Sequence, residues 1–169
     1  MFSNEYQRVQ SIGRSRPDSI RTIMLEFPFG AAAVTGGPYL HRLPGYAGVK
    51  LAAEIDAECA INLPTEDFSV PDVEQCERAL AAAIALAAAG SPIYVGCMGG
   101  IGRTGLFLAL LAKISLRSMK PWYSLSSHQD PVAFIRNTFK PHAVETKQQQ
   151  EYVQLFNTHR LERLAKSLR

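Results

Sequence analysis

The chain has 169 residues, 47% of them hydrophobic and 20% charged, with a formal net charge of +3. This is the length and composition of one globular domain with a sizeable core, and it excludes a disordered or collagen-like chain. The mild charge argues against a nucleic-acid-binding face, the longest apolar run (Ala79 to Gly90) is too short to span a bilayer, and neither the three cysteines nor the four histidines have the spacing of a metal site or disulfide framework.

Residues 1–19 are polar, with Arg8, Arg14, Arg16 and Pro17, and read as a lead-in. No apolar segment of signal-peptide type follows Met1, so a cytoplasmic location is the expectation. Ile23, Leu25 and Phe27 alternate with Thr22, Met24 and Glu26, which predicts a strand; Ala31 to Val34 predicts a second, closed by a Gly36-Gly37-Pro38 turn. Pro44 to Ala57 reads as a helix, and Ile61 and Leu63 as a buried strand that Pro64 ends. Ser69-Val70-Pro71-Asp72 reads as a helix start with Ser69 as its cap. Val73, Cys76, Leu80, Ile84 and Ala87 then recur at helical spacing, which places Cys76 in the core; Cys59, near Ile61, reads as packing too.

Pro92 to Val95 predicts a buried strand and Thr104 to Leu116 a buried helix. Leu116 to His128, with Lys120-Pro121-Trp122-Tyr123, reads as a loop, and Asp130-Pro131 as the start of a helix through Phe139. Tyr152, Leu155, Phe156 and His159 give the core stripe of a closing helix, followed by a solvated basic tail. Strands interleaved with helices predict a single α/β domain over residues 20–169, with a central, mostly parallel sheet.

Between the strand at 92–95 and the helix at 104–116 lies Gly96-Cys97-Met98-Gly99-Gly100-Ile101-Gly102-Arg103-Thr104-Gly105. Its glycines let successive backbone N–H groups turn inward, the helix adds the positive end of its dipole, and Arg103 can give two parallel charge-assisted hydrogen bonds to a phosphoryl group. Such a loop cradles a phosphate above Cys97, and the same inward donors favour the thiolate, the nucleophilic form of cysteine. A departing ester oxygen needs a proton from a different loop. Leu63-Pro64-Thr65-Glu66-Asp67-Phe68-Ser69-Val70-Pro71 follows a strand and offers Asp67, thirty positions before Cys97, with Glu66 and Asp72 as alternatives.

The spacing Cys97-x5-Arg103-Thr104, with Gly100 and Gly102 between, resembles the signature loop of the protein tyrosine phosphatase superfamily, especially its dual-specificity branch. Asp67-Phe68-Ser69-Val70-Pro71 resembles the acid-bearing loop of these enzymes, with Thr65-Glu66 where the tyrosine-specific branch has Trp-Pro. Ile135-Arg136 and Pro141-His142-Ala143-Val144-Glu145-Thr146 resemble a segment usually seen as Val-Arg, then Arg-Pro-x-Ala-Val-Glu-Thr, in which the first arginine is structural. Glu145-Thr146-Lys147-Gln148-Gln149 resembles the segment that carries a water-positioning glutamine, with Gln150 adjacent. Position 96 departs from the pattern: the family usually has histidine before the cysteine, and here it is Gly96.

The resemblance spans about Ala31 to Phe156. It implies a phosphomonoesterase that needs neither metal nor cofactor and works through a cysteinyl-phosphate. Cys97 would be the nucleophile, with Arg103 and the Met98, Gly99, Gly100, Ile101 and Gly102 backbone binding phosphate. Asp67 would be the acid, Thr104 the group stabilising the departing thiolate, and Gln149 the group orienting water. The expected substrate is a phosphorylated protein, with phosphotyrosine favoured and phosphoserine or phosphothreonine as additions; no nucleic-acid partner or membrane insertion is expected. Two alternatives stay open: a phosphatase of inositol phosphates, lipid headgroups or RNA 5′ ends, and a phosphate-binding module with little turnover. The uncharged Met98, Gly99 and Ile101 differ from the lysines of phosphoinositide phosphatases and from the Thr-His-Gly loop of RNA 5′-triphosphatases.

Overall fold

The computed structural model describes residues 19–119 and 130–168. The lead-in before residue 19, and Trp122 and Tyr123 with the rest of the 120–129 stretch, lie outside the described residues.

Strands β1 (Arg21–Phe27), β2 (Gly30–Pro38), β3 (Ala47–Ala52), β4 (Ile61–Thr65) and β5 (Ile93–Cys97) form one sheet of order β1-β2-β5-β3-β4. Only β1 runs antiparallel, against β2; the other pairings are parallel. The helices are α1 (Val73–Ala88), α2 (Gly102–Met119), α3 (Pro131–Thr138), α4 (Lys147–Leu155) and α5 (His159–Ser167), with a 3-10 turn at Tyr39–His41. This is the mostly parallel α/β sheet flanked by helices that the chain's pattern predicts. Central strand β5 is buried along its whole length and ends at Cys97, so the cysteine lies at the carboxyl end of a parallel strand, where α/β sheets bind ligands.

Gly36-Gly37-Pro38 is not a turn. It continues β2 and pairs with Val95, Gly96 and Cys97 of β5, while the hairpin turns at Pro28-Phe29. The expected helix from Pro44 to Ala57 is also absent. Its middle is β3, whose backbone is shared between β5 on one side and β4 on the other, and residues 48–52 are all buried. A strand covered on both faces has no polar alternation, and its Ala and Leu suit a helix equally, so the pairing decides. Pro64 lies inside β4 rather than ending it; β4 is the sheet edge, where a missing N–H costs no ladder bond.

Asp72, not Ser69, caps α1, accepting the Gln75 N–H at 3.0 Å. Asp130 caps α3 as expected, accepting from Val132 at 2.8 Å with Pro131 in the first turn. The single closing helix is two helices. Leu155 and His159 are exposed, whereas Val153, Phe156, Leu161 and Ala165 are buried. The break is held by buried Lys113 of α2, whose Nζ donates to the carbonyls of Val153, Gln154 and Phe156 at 2.8, 2.8 and 2.9 Å. Among the described residues, no helix is long and apolar enough to cross a membrane.

Candidate active site

Cys97 is buried at the end of β5, and its Sγ accepts the Gly100 N–H at 3.2 Å and the Thr104 hydroxyl at 3.1 Å. Gly100 has φ +71°, which turns its N–H inward, and a Cβ there would strike the backbone of Gly37. One residue after the loop the chain is helical: Gly105 N–H donates to Ile101 O at 2.9 Å. Lys140, from the segment after α3, donates to Gly100 O at 2.8 Å and to Ser19 O at 2.9 Å, so an ammonium fixes the carbonyl of the residue whose N–H meets the sulfur. Burial lowers the Lys140 pKa, and the neighbouring Cys97 works in the opposite direction.

The departure at position 96 has a steric cause. A Cβ on Gly96 would lie 2.6 Å from Tyr39 Cα, 2.7 Å from Tyr39 N and 2.8 Å from Gly37 O, all backbone atoms. No side chain, histidine included, fits there. Next to it, Tyr94 donates its hydroxyl to Pro38 O at 2.7 Å and so joins β5 to the end of β2.

Arg103 is buried at the start of α2. Its Nη1 donates to Glu54 Oε2 and to Thr65 O, both at 2.8 Å; its Nη2 donates to Glu54 Oε1 at 2.6 Å and lies 3.5 Å from Asp67 Oδ1. Glu54 follows β3, and the hydrogen bonds from Arg103 pull its pKa down to about 2. The same contact raises the Arg103 pKa further. Arg103 Nε is buried and has no hydrogen-bond partner among the described residues.

Asp67 stands at the tip of the loop after β4, with its side chain 56% exposed. The next residue, Phe68, has φ +60°, rare for a bulky side chain; its N–H donates to Asp67 Oδ1 at 3.0 Å and its ring is exposed. Glu66 is exposed and its carbonyl accepts the Ser69 N–H at 3.1 Å, while the Asp72 carboxylate serves as the α1 cap. Of the three adjacent glutamines, Gln149 is the buried one. Its Oε1 accepts the Thr146 N–H at 3.1 Å in a capping box, and its Nε2 donates to Ser69 O at 3.0 Å. Arg136 binds Ala143 O at 3.0 Å and Val144 O at 2.9 Å, where Val144 has φ +59°, a scaffolding contact.

The structure thus gathers Cys97, Arg103, Thr104, Asp67 and the Met98–Gly102 loop, and puts Gln149 against the loop that carries Asp67. Sequence reasoning missed Glu54 and Lys140. Glu54 was hidden by reading β3 as helix; Lys140 had a signal, since it precedes Pro141 where the family segment has arginine.

Residues 47–114 match the profile of a family described as "Tc-R-P: Polymorphic toxin system, DSP-PTPase phosphatase". That stretch runs from β3 through Glu54, Asp67, Cys97 and Arg103 into α2. Two uncharacterized proteins of Methanocaldococcus jannaschii, MJECL20 and MJ0215, are each 30% identical, over 99 and 91 residues. These alignments take in 59% and 54% of this chain and 60% and 50% of the relatives, so the chain spans little more than half their length. The crystal structure of Tk-PTP in the active form aligns with a TM-score of 0.57 and 21% identity, over 80% of this chain and 97% of that one. A glycine-to-alanine mutant form of Tk-PTP aligns with a TM-score of 0.52 and 23% identity, over 64% and 74%. At these identities the likeness speaks for the fold. Over residues 47–114 the chain is similar to a DSP-PTPase phosphatase family, and its fold is that of the Tk-PTP structures.

Proposed function

We propose that the protein hydrolyses phosphate monoesters through a cysteinyl-phosphate, acting on phosphotyrosyl protein, with phosphoserine or phosphothreonine as further substrates. Cys97 thiolate attacks phosphorus in line with the ester oxygen. Arg103 and the backbone N–H groups of residues 98–102 bind the equatorial oxygens, and Asp67 gives its proton to the leaving oxygen as the P–O bond breaks. Water then attacks the phosphocysteine, Asp67 takes the proton, and the Thr104 hydroxyl stabilises the released thiolate.

The observation that carries this reading is the Arg103 guanidinium: its Nη atoms are set by Glu54 and Thr65, while its buried Nε has no acceptor among the described residues. A phosphoryl oxygen beside Cys97 fits that donor. The rim favours an aryl ester over a polyanion. Exposed Leu40, Phe68 and Met98 lie on the turn after β2, the Asp67 loop and the Cys97 loop, and further phosphates would face the carboxylates of Glu54 and Asp67.

Hydrolysis of an aryl phosphate in EDTA, from about pH 4 to 8, tests the proposal. Cys97→Ser is expected to abolish turnover, and Asp67→Asn to cost roughly 10²–10⁴ on poor leaving groups and less on good ones. A folded wild type that binds phosphate analogues tightly and turns over no ester would contradict it.

A further inference from the structure

Gln149 stands where the family resemblance expects a group that orients the attacking water, yet both ends of its amide are already committed. We propose that Gln149 is a positioning residue for the general acid: through Ser69 O it fixes the Asp67 loop for the first chemical step, rather than ordering water in the second. The inference rests on the phosphatase reading above and reassigns one role within it.

The orientation of the amide is dictated by its neighbours. Oε1 receives the Thr146 N–H, and a flipped amide would set donor against donor, so Nε2 is the end that faces Ser69 O. Gln149 is itself rigid. It is fully buried, its backbone N–H is held by Thr146 Oγ1 at 3.0 Å, and the far end of α4 is held by Lys113.

The loop it touches needs holding. Asp67 lies between two ties: Thr65 O is bound by Arg103 on one side, and Ser69 O by Gln149 on the other. Between them Phe68 sits at φ +60°, a conformation that persists only where surrounding contacts over-determine it. Releasing Ser69 lets Phe68 return to negative φ and carries the adjoining Asp67 away from the leaving oxygen.

The two roles separate kinetically. A misplaced acid slows P–O cleavage in proportion to leaving-group basicity. A misplaced water slows only breakdown of the phosphocysteine, which follows the first irreversible step, and so leaves kcat/KM unchanged for every ester. Gln149→Glu isolates the tie, because it keeps the acceptor for Thr146, as capping boxes commonly do with Glu, and loses the donor to Ser69. Gln149→Met, which lacks both groups, guards against the buried carboxylate being the cause.

The experiment compares kcat/KM over aryl phosphates of graded leaving-group basicity, together with hydrogen exchange of the amides of residues 67–70. For both variants, the loss on the most basic phenol is expected to exceed that on the most acidic by about tenfold or more, a fraction of the full general-acid effect. In an Asp67→Asn background that excess disappears. The loop amides exchange faster in Gln149→Glu while those of α4 keep their protection. A loss equal across the series, an unchanged kcat/KM, or unchanged loop exchange would overturn the proposal. Absence of wild-type turnover would instead sink the phosphatase reading, and the wild-type rates tell the two failures apart.

Discussion

Arg103 is gripped by Glu54 through both Nη atoms, which sets its guanidinium plane. Glu54→Gln keeps the shape and removes the charge, so Arg103 loses its orientation and kcat/KM should fall about 10-fold to 100-fold. With its pKa near 2, Glu54 is ionised at every pH where activity is measured, so the loss should be the same from about pH 5 to 8. The stability it contributes is present above the ordinary carboxylate pKa of about 4.3 and is lost as pH falls toward the folded value. Wild type and variant should therefore differ modestly in denaturant midpoint at neutral pH and converge near pH 2. Lys140 is a second such residue. Lys140→Met leaves Gly100 O without its ammonium and should lower kcat/KM, whereas Lys140→Arg should restore most of it. At Gly96 even a methyl group meets the backbone of Tyr39 and Gly37, so Gly96→Ala should cost about 1–3 kcal/mol in urea unfolding.

The end of helix α4 and its junction with α5 are held by the Lys113 ammonium. Lys113→Met leaves the carbonyls of Val153, Gln154 and Phe156 without that donor, and should destabilise the fold by about 2–3 kcal/mol in chemical denaturation. Helices with local signals were legible in the sequence: Asp130-Pro131 opens α3 as read, and the apolar run after Arg103 is α2. β3 was not, because a strand buried on both faces shows no period, and Ala47-Gly48-Val49-Lys50-Leu51-Ala52 takes its conformation from β4 and β5, distant in sequence. The error hid Glu54 as well, since a carboxylate inside a supposed helix reads as solvated. The division into α4 and α5 was hidden for a similar reason: Lys113 acts from forty residues away.

The whole molecule places three parallel strand ends side by side. β5 delivers Cys97, β3 leads to Glu54, and β4 leads to Asp67, all at the carboxyl edge of the sheet. The loop from Cys97 to Thr104 was legible because its partners are a few residues apart, so spacing carries the geometry. The grip of Glu54 on Arg103 spans 49 positions and exists only once the sheet has formed. The order β2-β5-β3-β4 therefore lets the Cys97–Arg103 loop, Glu54 and Asp67 converge from three separate segments.

In the proposed reaction a phosphoryl group passes through the Cys97 sulfur. Rapid quench in alkali, where a cysteinyl-phosphate is stable, during turnover of an aryl phosphate, followed by peptide mass spectrometry, reads this directly. A phosphoryl adduct is expected on the peptide containing Cys97, with neither adduct nor turnover in Cys97→Ser. Turnover that persists in Cys97→Ser, or an adduct on another residue, would contradict it.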